Sequence, residues 1–335
     1  MFTFHVMGGK DVRAVIEKSR PDIFARVRDT YLAHHRGATI NPNSYFLRFP
    51  EKPDARIIAL PAALREDGGL AGLKWIGSYP ANVQRNVPRA SAVLLLNDFE
   101  TGYPFAALEA AQISAARTAA SAVLGAEAMH GSRTVGKAAV VGAGVISRAI
   151  LDFFHDLGWS FASIQVHDTQ ERYARNAAQY VRSLGYHGSA CASLTEAVDG
   201  AEIVVLATTA ATPYIVDPGA LSAGQCVLNI SLRDIGPDLI AASHNIVDDV
   251  EHCLNAGTSP HLAVQKFGHR EFLDGTLAEL LLGQTTLTAA KPRIFSPFGL
   301  GVLDLAVGRF VHDEVVRRGE LHVVDGFFHE LRRYG

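Results

Sequence analysis

Apolar residues recur with helical spacing in the first part of the chain and with strand-like spacing after it. Residues 22–35 have an apolar side and a polar side, which predicts an amphipathic helix. The apolar side consists of Ile23, Phe24, Val27, Tyr31 and Leu32. Short apolar runs then predict strands at 56–60, 71–77, 92–97 and 104–109. The last two strands are close enough in sequence to form an antiparallel hairpin.

From residue 137 onward, predicted strands and helices alternate. A strand at 137–141 precedes helical spacing over 147–157 and a second strand at 163–167. Further buried strands are predicted at 201–208, 225–230 and 245–249. This alternation is typical of an α/β fold with a parallel sheet whose two faces are covered by helices, known as a doubly wound sheet.

Three further segments are predicted to be helical. An alanine-rich stretch without proline, 110–129, predicts one long helix that leads into the α/β part. We also predict helical structure over 258–283, which returns the chain to the first domain. A helix over 298–318 is expected near the carboxyl end.

Composition indicates a globular enzyme with two domains. The chain has 335 residues, 48% hydrophobic residues and a net charge of −3, so it has no general attraction to nucleic acid or anionic membranes. The odd and scattered cysteines Cys191, Cys226 and Cys253 are expected to be reduced core thiols. No signal peptide or membrane span is evident, which predicts a cytoplasmic location.

A glycine-rich turn lies between the strand at 137–141 and the helix that follows it. Gly142 and Gly144 let the backbone approach a phosphate, and the helix amino terminus then binds this anion through free N–H groups. Ser147, a small residue, takes the place of the third glycine. Asp168 ends the next strand, where it can bind ribose hydroxyls and repel a ribose phosphate. The turn therefore favours NAD, although a structural turn between two buried elements is the alternative.

Cations and small polar residues are dense before this turn. Lys74 lies inside a predicted strand, where burial is costly without an anionic partner, but a lysine at a sheet edge is an equal alternative. Arg85 and Arg89 follow within a short polar segment. Arg117 lies in a helix of small side chains and can bind a carboxylate through two hydrogen bonds, or it can be an ordinary surface arginine.

Asp234 follows a buried strand at the position where ligands bind in open parallel sheets. The sequence alone favours a simpler hypothesis, namely that Asp234 caps the next helix. Residues 248–253 contain metal-ligand side chains without a metal spacing, so we expect no metal. The fourteen histidines form no hydrolytic triad pattern.

Several motifs together resemble the ornithine cyclodeaminase and mu-crystallin family over nearly the whole chain. The motifs are residues 72–74, 94–98, 102–104, 117–120, 142–147 and 229–234. Residues 74–78, 85–86 and 89–91 also resemble a subgroup that releases 2,3-diaminopropionate in siderophore and antibiotic pathways.

The resemblance implies a fold and a set of site residues. Residues 1–117 and 296–335 are expected to form an α+β substrate-binding and dimerisation domain, and 118–295 a Rossmann-type NAD domain. Asp234 and Lys74 are the expected catalytic residues. The expected substrate-binding residues are Arg48, Lys74, Arg85, Arg89 and Arg117. The expected cofactor-binding residues are Gly142, Gly144, Val145, Ile146, Asp168, Thr208 and Ser231.

The resemblance also implies an activity. We expect an NAD-dependent oxidoreductase that cleaves the C–N bond of a secondary amine with several carboxylates, working as a homodimer. Cyclisation of ornithine, which consumes no net NAD, and reduction of imines or keto acids are the alternatives. A non-catalytic binding protein is disfavoured by the joint presence of Lys74, Arg117 and Asp234.

Overall fold

The structure, a computed structural model, describes residues 2–328 and divides the chain into two compact units. Both chain ends form the first unit, which runs up to Arg117 and resumes at Leu300. The second unit is Thr118–Gly299, compared with 118–295 as predicted from the sequence. The boundary after Arg117 falls inside a continuous helix.

The strands and helices of residues 2–328 are numbered in chain order. The strands are β1 His5–Met7, β2 Thr39–Ile40, β3 Tyr45–Phe49, β4 Lys52–Leu64, β5 Leu70–Ser78, β6 Ala90–Asn97, β7 Pro104–Glu109, β8 Thr134–Val141, β9 Ser160–His167, β10 Gly188–Ala190, β11 Ile203–Leu206, β12 Cys226–Asn229, β13 His244–Val247, β14 Leu273–Thr276 and β15 Arg293–Ser296. The helices are α1 Gly9–Lys18, α2 Arg20–His35, α3 Ala111–His130, α4 Val145–Asp156, α5 Glu171–Ser183, α6 Leu194–Val198, α7 Pro237–Ala241, α8 Val250–Cys253, α9 Ser259–Phe267, α10 Leu277–Leu281 and α11 Gly301–Arg317. Among these helices, none is long and apolar enough to cross a membrane.

The first unit is built on a mixed sheet. In the described chain its strand order is β1-β7-β6-β5-β4-β2, and β3 also pairs with β4. Strands β3 to β7 are joined in antiparallel pairs, which include the predicted hairpin of β6 and β7. Helix α11 packs on β4, β5 and β6, and α2 packs on α11. One face of the sheet is therefore covered by helices.

The four predicted strands of this unit exist. β7 has the predicted bounds, whereas β4, β5 and β6 are longer than predicted. The strand predicted at 56–60 extends over Lys52–Leu64, because polar residues before it and apolar residues after it also join the backbone ladder. Strands β1 to β3 were not predicted, since such short strands carry little periodic signal. Helix α1 was missed although its buried residues Val12, Val15 and Ile16 have helical spacing.

The second unit contains a parallel sheet with the strand order β10-β9-β8-β11-β12-β15-β13-β14, as far as the structure describes the chain. Every residue of β11 and β12 is buried, so layers of structure cover both faces of the sheet. Strands β9 and β10 lie on one side of β8, and β11 and β12 lie on the other. The strand order reverses between β8 and β11, where open parallel sheets bind ligands. The predicted doubly wound, Rossmann-type sheet is confirmed.

One part of the sequence prediction is wrong. Residues 258–283 do not form a continuous helix that returns to the first domain; they form α9, then strand β14, then α10, all within the second unit. Gly268 ends α9 in a left-handed conformation with φ of 74°. Apolar residues continue across this break because α10 also buries Leu277 and Ala278. The helix predicted at 298–318 corresponds to α11.

Candidate functional site

The glycine turn between β8 and α4 depends on close backbone packing. Gly142 has φ of 89°, and a Cβ atom there would lie 2.5 Å from the carbonyl oxygen of Ala207. Only glycine is compatible with both constraints. The turn is therefore held directly against the end of β11, at the point where the strand order reverses.

Helix α4 presents an amino terminus suited to an anion. Its first flanking residue is Gly144, and in the described part of the chain no side chain caps the helix. A Cβ at Gly144 would meet no heavy atom of residues 2–328 within 4 Å, and Val145 is 76% exposed. The backbone N–H groups of the first turn, including that of Ile146, are thus available to a diphosphate.

Asp168 and Ser147 shape this turn from two sides. One carboxylate oxygen of Asp168 accepts a hydrogen bond of 2.8 Å from the Ala143 N–H, and the other accepts one of 2.8 Å from the Gln170 N–H. The Ser147 hydroxyl donates to the carbonyl oxygen of Gly142. An acid beside an uncapped helix start fits the ribose and diphosphate of a dinucleotide, so the donor set matches the expected cofactor.

Asp234 lies after β12 among three hydroxyl groups. The Thr208 hydroxyl donates to both carboxylate oxygens, at 2.8 and 2.9 Å, and the Tyr214 hydroxyl donates at 3.1 Å. The Ser231 hydroxyl lies near Asp234 and accepts a bond of 2.6 Å from the Thr208 N–H. The structure thus brings together Asp234, which was expected to be catalytic, and Thr208 and Ser231, which were expected to bind the cofactor.

The surroundings of Asp234 alter its acidity. Asp234 is fully buried, and this burial raises the pKa of its carboxyl, while the three hydroxyl groups partly offset the rise. A carboxylate with a raised pKa is a better proton acceptor near neutral pH. The capping hypothesis is wrong, because the residue that precedes α7 is Gly236 and the Asp234 side chain contacts hydroxyl groups instead.

The first unit holds a buried group of two cations and one anion. Lys74 is 2% exposed, and its Nζ atom donates to Asp304 Oδ2 at 2.6 Å and to the Ser114 hydroxyl at 3.2 Å. Arg117 Nε donates to the other oxygen of Asp304 at 3.2 Å. Lys74 lies in β5, which has neighbours on both sides, so the hypothesis of a lysine at a sheet edge is wrong. Arg117 is only 11% exposed and is not an ordinary surface arginine.

Burial sets the charge state of Lys74. Loss of water contact, opposed in part by Asp304, lowers the pKa of Lys74 to about 8. Below that pH the group carries two positive charges against one negative charge. The excess of positive charge suits a substrate carboxylate, which arginine and lysine bind through charge-assisted hydrogen bonds.

Two residues of these sites were missed at the level of sequence. Asp304 lies in α11, more than two hundred positions from Lys74, and only the packing of α11 on β5 brings them together. Tyr214 lies in the loop after β11, where no local pattern marks it as a partner of Asp234.

The remaining predicted substrate cations lie at the surface of the first unit. Arg48 is exposed on β3, and its guanidinium lies 5.2 Å from the centre of the Phe46 ring. Arg85 and Arg89 are exposed in the segment between β5 and β6. Their roles in substrate binding stay predictions.

The acidic segment 248–253 has a structural role. Asp249 caps α8 by accepting a hydrogen bond of 2.7 Å from the His252 N–H. Asp248 is buried and accepts a bond of 2.6 Å from the Gly299 N–H. Both carboxylates therefore stabilise the backbone around them.

Comparisons with known proteins agree with the fold and with the motifs. The model of the ornithine cyclodeaminase/mu-crystallin family matches residues 11–319. N-((2S)-2-amino-2-carboxyethyl)-L-glutamate dehydrogenase of Staphylococcus aureus is 30% identical, over 84% of this chain and 86% of the relative. Alanine dehydrogenase of Archaeoglobus fulgidus is 24% identical, over 93% and 95%.

The solved structures include an archaeal alanine dehydrogenase dimer with bound NAD. It has a TM-score of 0.87 and 21% identity, and the match covers 97% of this chain and 100% of that one. This likeness supports the two-unit architecture. Because the family model spans nearly the whole chain and agrees with the predicted motifs, the chain belongs to the ornithine cyclodeaminase/mu-crystallin family.

Proposed function

We propose that this chain is an NAD-dependent oxidoreductase that cleaves N-((2S)-2-amino-2-carboxyethyl)-L-glutamate to L-2,3-diaminopropionate and 2-oxoglutarate. The observation that carries the proposal is the buried pair of cations, Lys74 and Arg117, which share the single carboxylate of Asp304. A relative with 30% identity is named for this substrate. The enzyme class and the cofactor agree with the family.

The proposed reaction balances with one water molecule. When bound, NAD would supply the hydride acceptor for the α-carbon of the glutamate part, and the substrate would be left with a C=N bond. Water adds to this carbon, and the C–N bond then breaks. The products are the keto acid, the free diamino acid, NADH and one proton.

We propose that the second unit holds NAD through the glycine turn and the ends of β11 and β12. The backbone of Gly142 to Ile146 would bind the diphosphate, and Asp168 the ribose. Thr208 and Ser231 lie at the ends of neighbouring strands, where they would contact the rest of the cofactor. The negative charge of Asp168 disfavours the additional phosphate of NADP.

The cations of the first unit would bind and orient the substrate. Lys74 and Arg117 are held by Asp304, so little side-chain freedom is lost when they bind a carboxylate. Arg48, Arg85 and Arg89 supply further positive charge for an acid with three carboxylates. Ornithine has one carboxylate and two amines, and this excess of cations would repel it.

Asp234 would act as the general base. Its carboxylate would take a proton from the substrate amine or from the attacking water, a step that a raised pKa favours. Thr208, Ser231 and Tyr214 hold the carboxylate in one orientation through their hydroxyl groups.

We further propose that the chain forms a homodimer through the open face of the first sheet. On β5, Trp75 points away from the face of Lys74 and is 43% exposed. Its row across the sheet includes Val93, Ala59 and Tyr45, and Tyr45 is 70% exposed. An exposed apolar row of this kind marks an interaction surface. A second copy would cover it, and the archaeal alanine dehydrogenase structure is a dimer.

The reaction can be tested with purified protein, NAD and either the amino-carboxyethyl glutamate or L-ornithine. We expect absorbance from NADH together with 2-oxoglutarate and L-2,3-diaminopropionate, identified by mass spectrometry. Proline and ammonia from ornithine without net NADH would instead assign the cyclodeaminase reaction. No product from either substrate would reject both hypotheses.

Replacing Asp234 with asparagine should remove the general base and leave the cofactor site intact. We expect Asp234→Asn to lower kcat by about 100- to 10,000-fold, the usual contribution of a positioned base. Binding of NADH, followed by fluorescence titration, should not change. Asp238→Asn, at an exposed site with an ion pair to Lys266, is the matched control and should keep wild-type kcat. Normal turnover in Asp234→Asn would exclude this role.

The titration of Lys74 should appear in the pH dependence of kcat/KM. Lys74 is cationic below its pKa of about 8, so substrate binding should weaken as the pH rises through that value. In Lys74→Gln, kcat/KM should be low throughout and should show no decline near pH 8. If the decline near pH 8 persists in Lys74→Gln, another group causes it.

Introducing a charge at Trp75 should disrupt the homodimer. We expect the wild type to sediment as a dimer in analytical ultracentrifugation and Trp75→Glu to sediment as a monomer, since a buried unpaired carboxylate is costly. Leu282→Glu changes an exposed apolar residue of the second unit and should remain dimeric. A wild-type monomer, or a dimeric Trp75→Glu, would contradict the proposed interface.

A further inference from the structure

Two arginines face one another on neighbouring strands of the first unit. Arg48 of β3 and Arg56 of β4 occupy directly paired positions in an antiparallel ladder. Side chains at such positions begin about 5 Å apart, so the two guanidinium groups can reach a common anion. Two guanidinium groups on one row can bind a carboxylate through charge-assisted hydrogen bonds.

A buried hydroxyl group lies in the same row. Arg56 pairs with Ser78 of β5 on its other side, so Arg48, Arg56 and Ser78 form one row across three strands. Ser78 is 6% exposed, and within residues 2–328 its hydroxyl has no hydrogen-bond partner. A buried polar atom without a partner is rare, and it is satisfied when a ligand supplies an acceptor. Ser78 thus points to a ligand independently of the two arginines.

The row shares its sheet face with Lys74. Residues four positions apart in a strand lie on the same face, and Lys74 and Ser78 are both buried while Trp75 between them is exposed. Their Cα atoms are about 13 Å apart along the strand. This separation can be spanned by a substrate that has carboxylates at both ends of a short carbon chain. The long cationic side chains of the protein cover part of the distance.

More positive charge lies at this end of the sheet. The Tyr79 N–H, next to Ser78, donates a hydrogen bond of 2.8 Å to the carbonyl oxygen of Arg89. Arg89 therefore lies beside the row formed by Arg48, Arg56 and Ser78. At this end of the sheet the cations Arg48, Lys52, Arg56 and Arg89 outnumber the carboxylates Glu51 and Asp54, in contrast to the apolar rows of the opposite face.

We propose that Arg56, with Arg48 and Ser78, forms a second carboxylate subsite that binds the γ-carboxylate of the glutamate part of the substrate. This inference rests on the proposed function and adds the residue that selects the acid side chain. The α-carboxylate adjoins the reacting carbon and is assigned to Lys74 and Arg117. The third carboxylate adjoins an ammonium group, which two guanidinium groups would repel. The γ-carboxylate has no cation beside it.

The subsite can be tested by calorimetric titration of the full-length protein with glutarate and with glutarate monoamide. The monoamide keeps one carboxylate and replaces the other with a neutral group. We expect the wild type to bind glutarate about 10- to 100-fold more tightly, the range of a charge-assisted hydrogen bond. Arg56→Gln should lose this preference and should bind the monoamide like the wild type, which also shows that the variant is folded.

Two further variants make the result decisive. Arg65→Gln removes an exposed arginine just beyond the other end of β4 and should keep the preference for glutarate. Arg48→Gln, a change at an exposed position, should reduce the preference and serves as the test if Arg56→Gln does not fold. Equal binding of the two probes by the wild type, or a preference that survives both Arg48→Gln and Arg56→Gln, overturns the subsite.

Turnover measurements distinguish a failure of the proposed subsite from a failure of the proposed reaction. The amino-carboxyethyl glutamate and its γ-amide are compared as substrates in the wild type and in Arg56→Gln. In the wild type, KM should be lower for the substrate with the free γ-carboxylate than for its γ-amide, whereas in Arg56→Gln the two KM values should be similar. In both proteins kcat should differ less than KM. If the calorimetric preference depends on Arg56 but neither substrate yields NADH, the subsite stands and the proposed function fails.

Discussion

The buried ion group of Lys74, Asp304 and Arg117 is the constraint on which the first unit depends. A lysine in the middle of a sheet cannot remain charged without an anion, and the helix that supplies Asp304 comes from the other end of the chain. Both chain ends must therefore pack together before the cations are stabilised. The same contact leaves an excess of one positive charge when Lys74 is protonated, which is the property a carboxylate site needs.

Parallel strand pairing has the corresponding role in the second unit. The ends of β8, β11 and β12 lie side by side, so residues from three separate loops reach the same edge of the sheet. Gly142 packs on the carbonyl of Ala207, and Thr208 hydrogen-bonds the carboxylate of Asp234. Residues at the end of β11 therefore contact both the backbone of the glycine turn, in the proposed cofactor site, and the buried carboxylate of Asp234, the proposed general base.

The two faces of the first sheet have different chemistry because successive side chains alternate. Lys74 and Ser78 are buried on the face that carries α11, whereas Trp75, Val93 and Tyr45 are exposed on the other. The proposed ligand-binding groups and the proposed association surface can therefore occupy one strand without competing. This division explains why a segment rich in cations also contains an exposed tryptophan.

Local sequence patterns were enough to predict the parallel sheet, the glycine turn and the hairpin of β6 and β7, because each arises from short-range periodicity or from backbone freedom at glycine. They failed over 258–283, where apolar spacing continues through a helix, a strand and a second helix. Motifs also identified Lys74, Arg117 and Asp234, but not what these side chains contact. Asp304, Tyr214 and the row of Arg48, Arg56 and Ser78 depend on strand register and on helix packing across distant parts of the chain. Only the tertiary structure decides such contacts, since charge sharing and burial are properties of neighbours in space and not of neighbours in sequence.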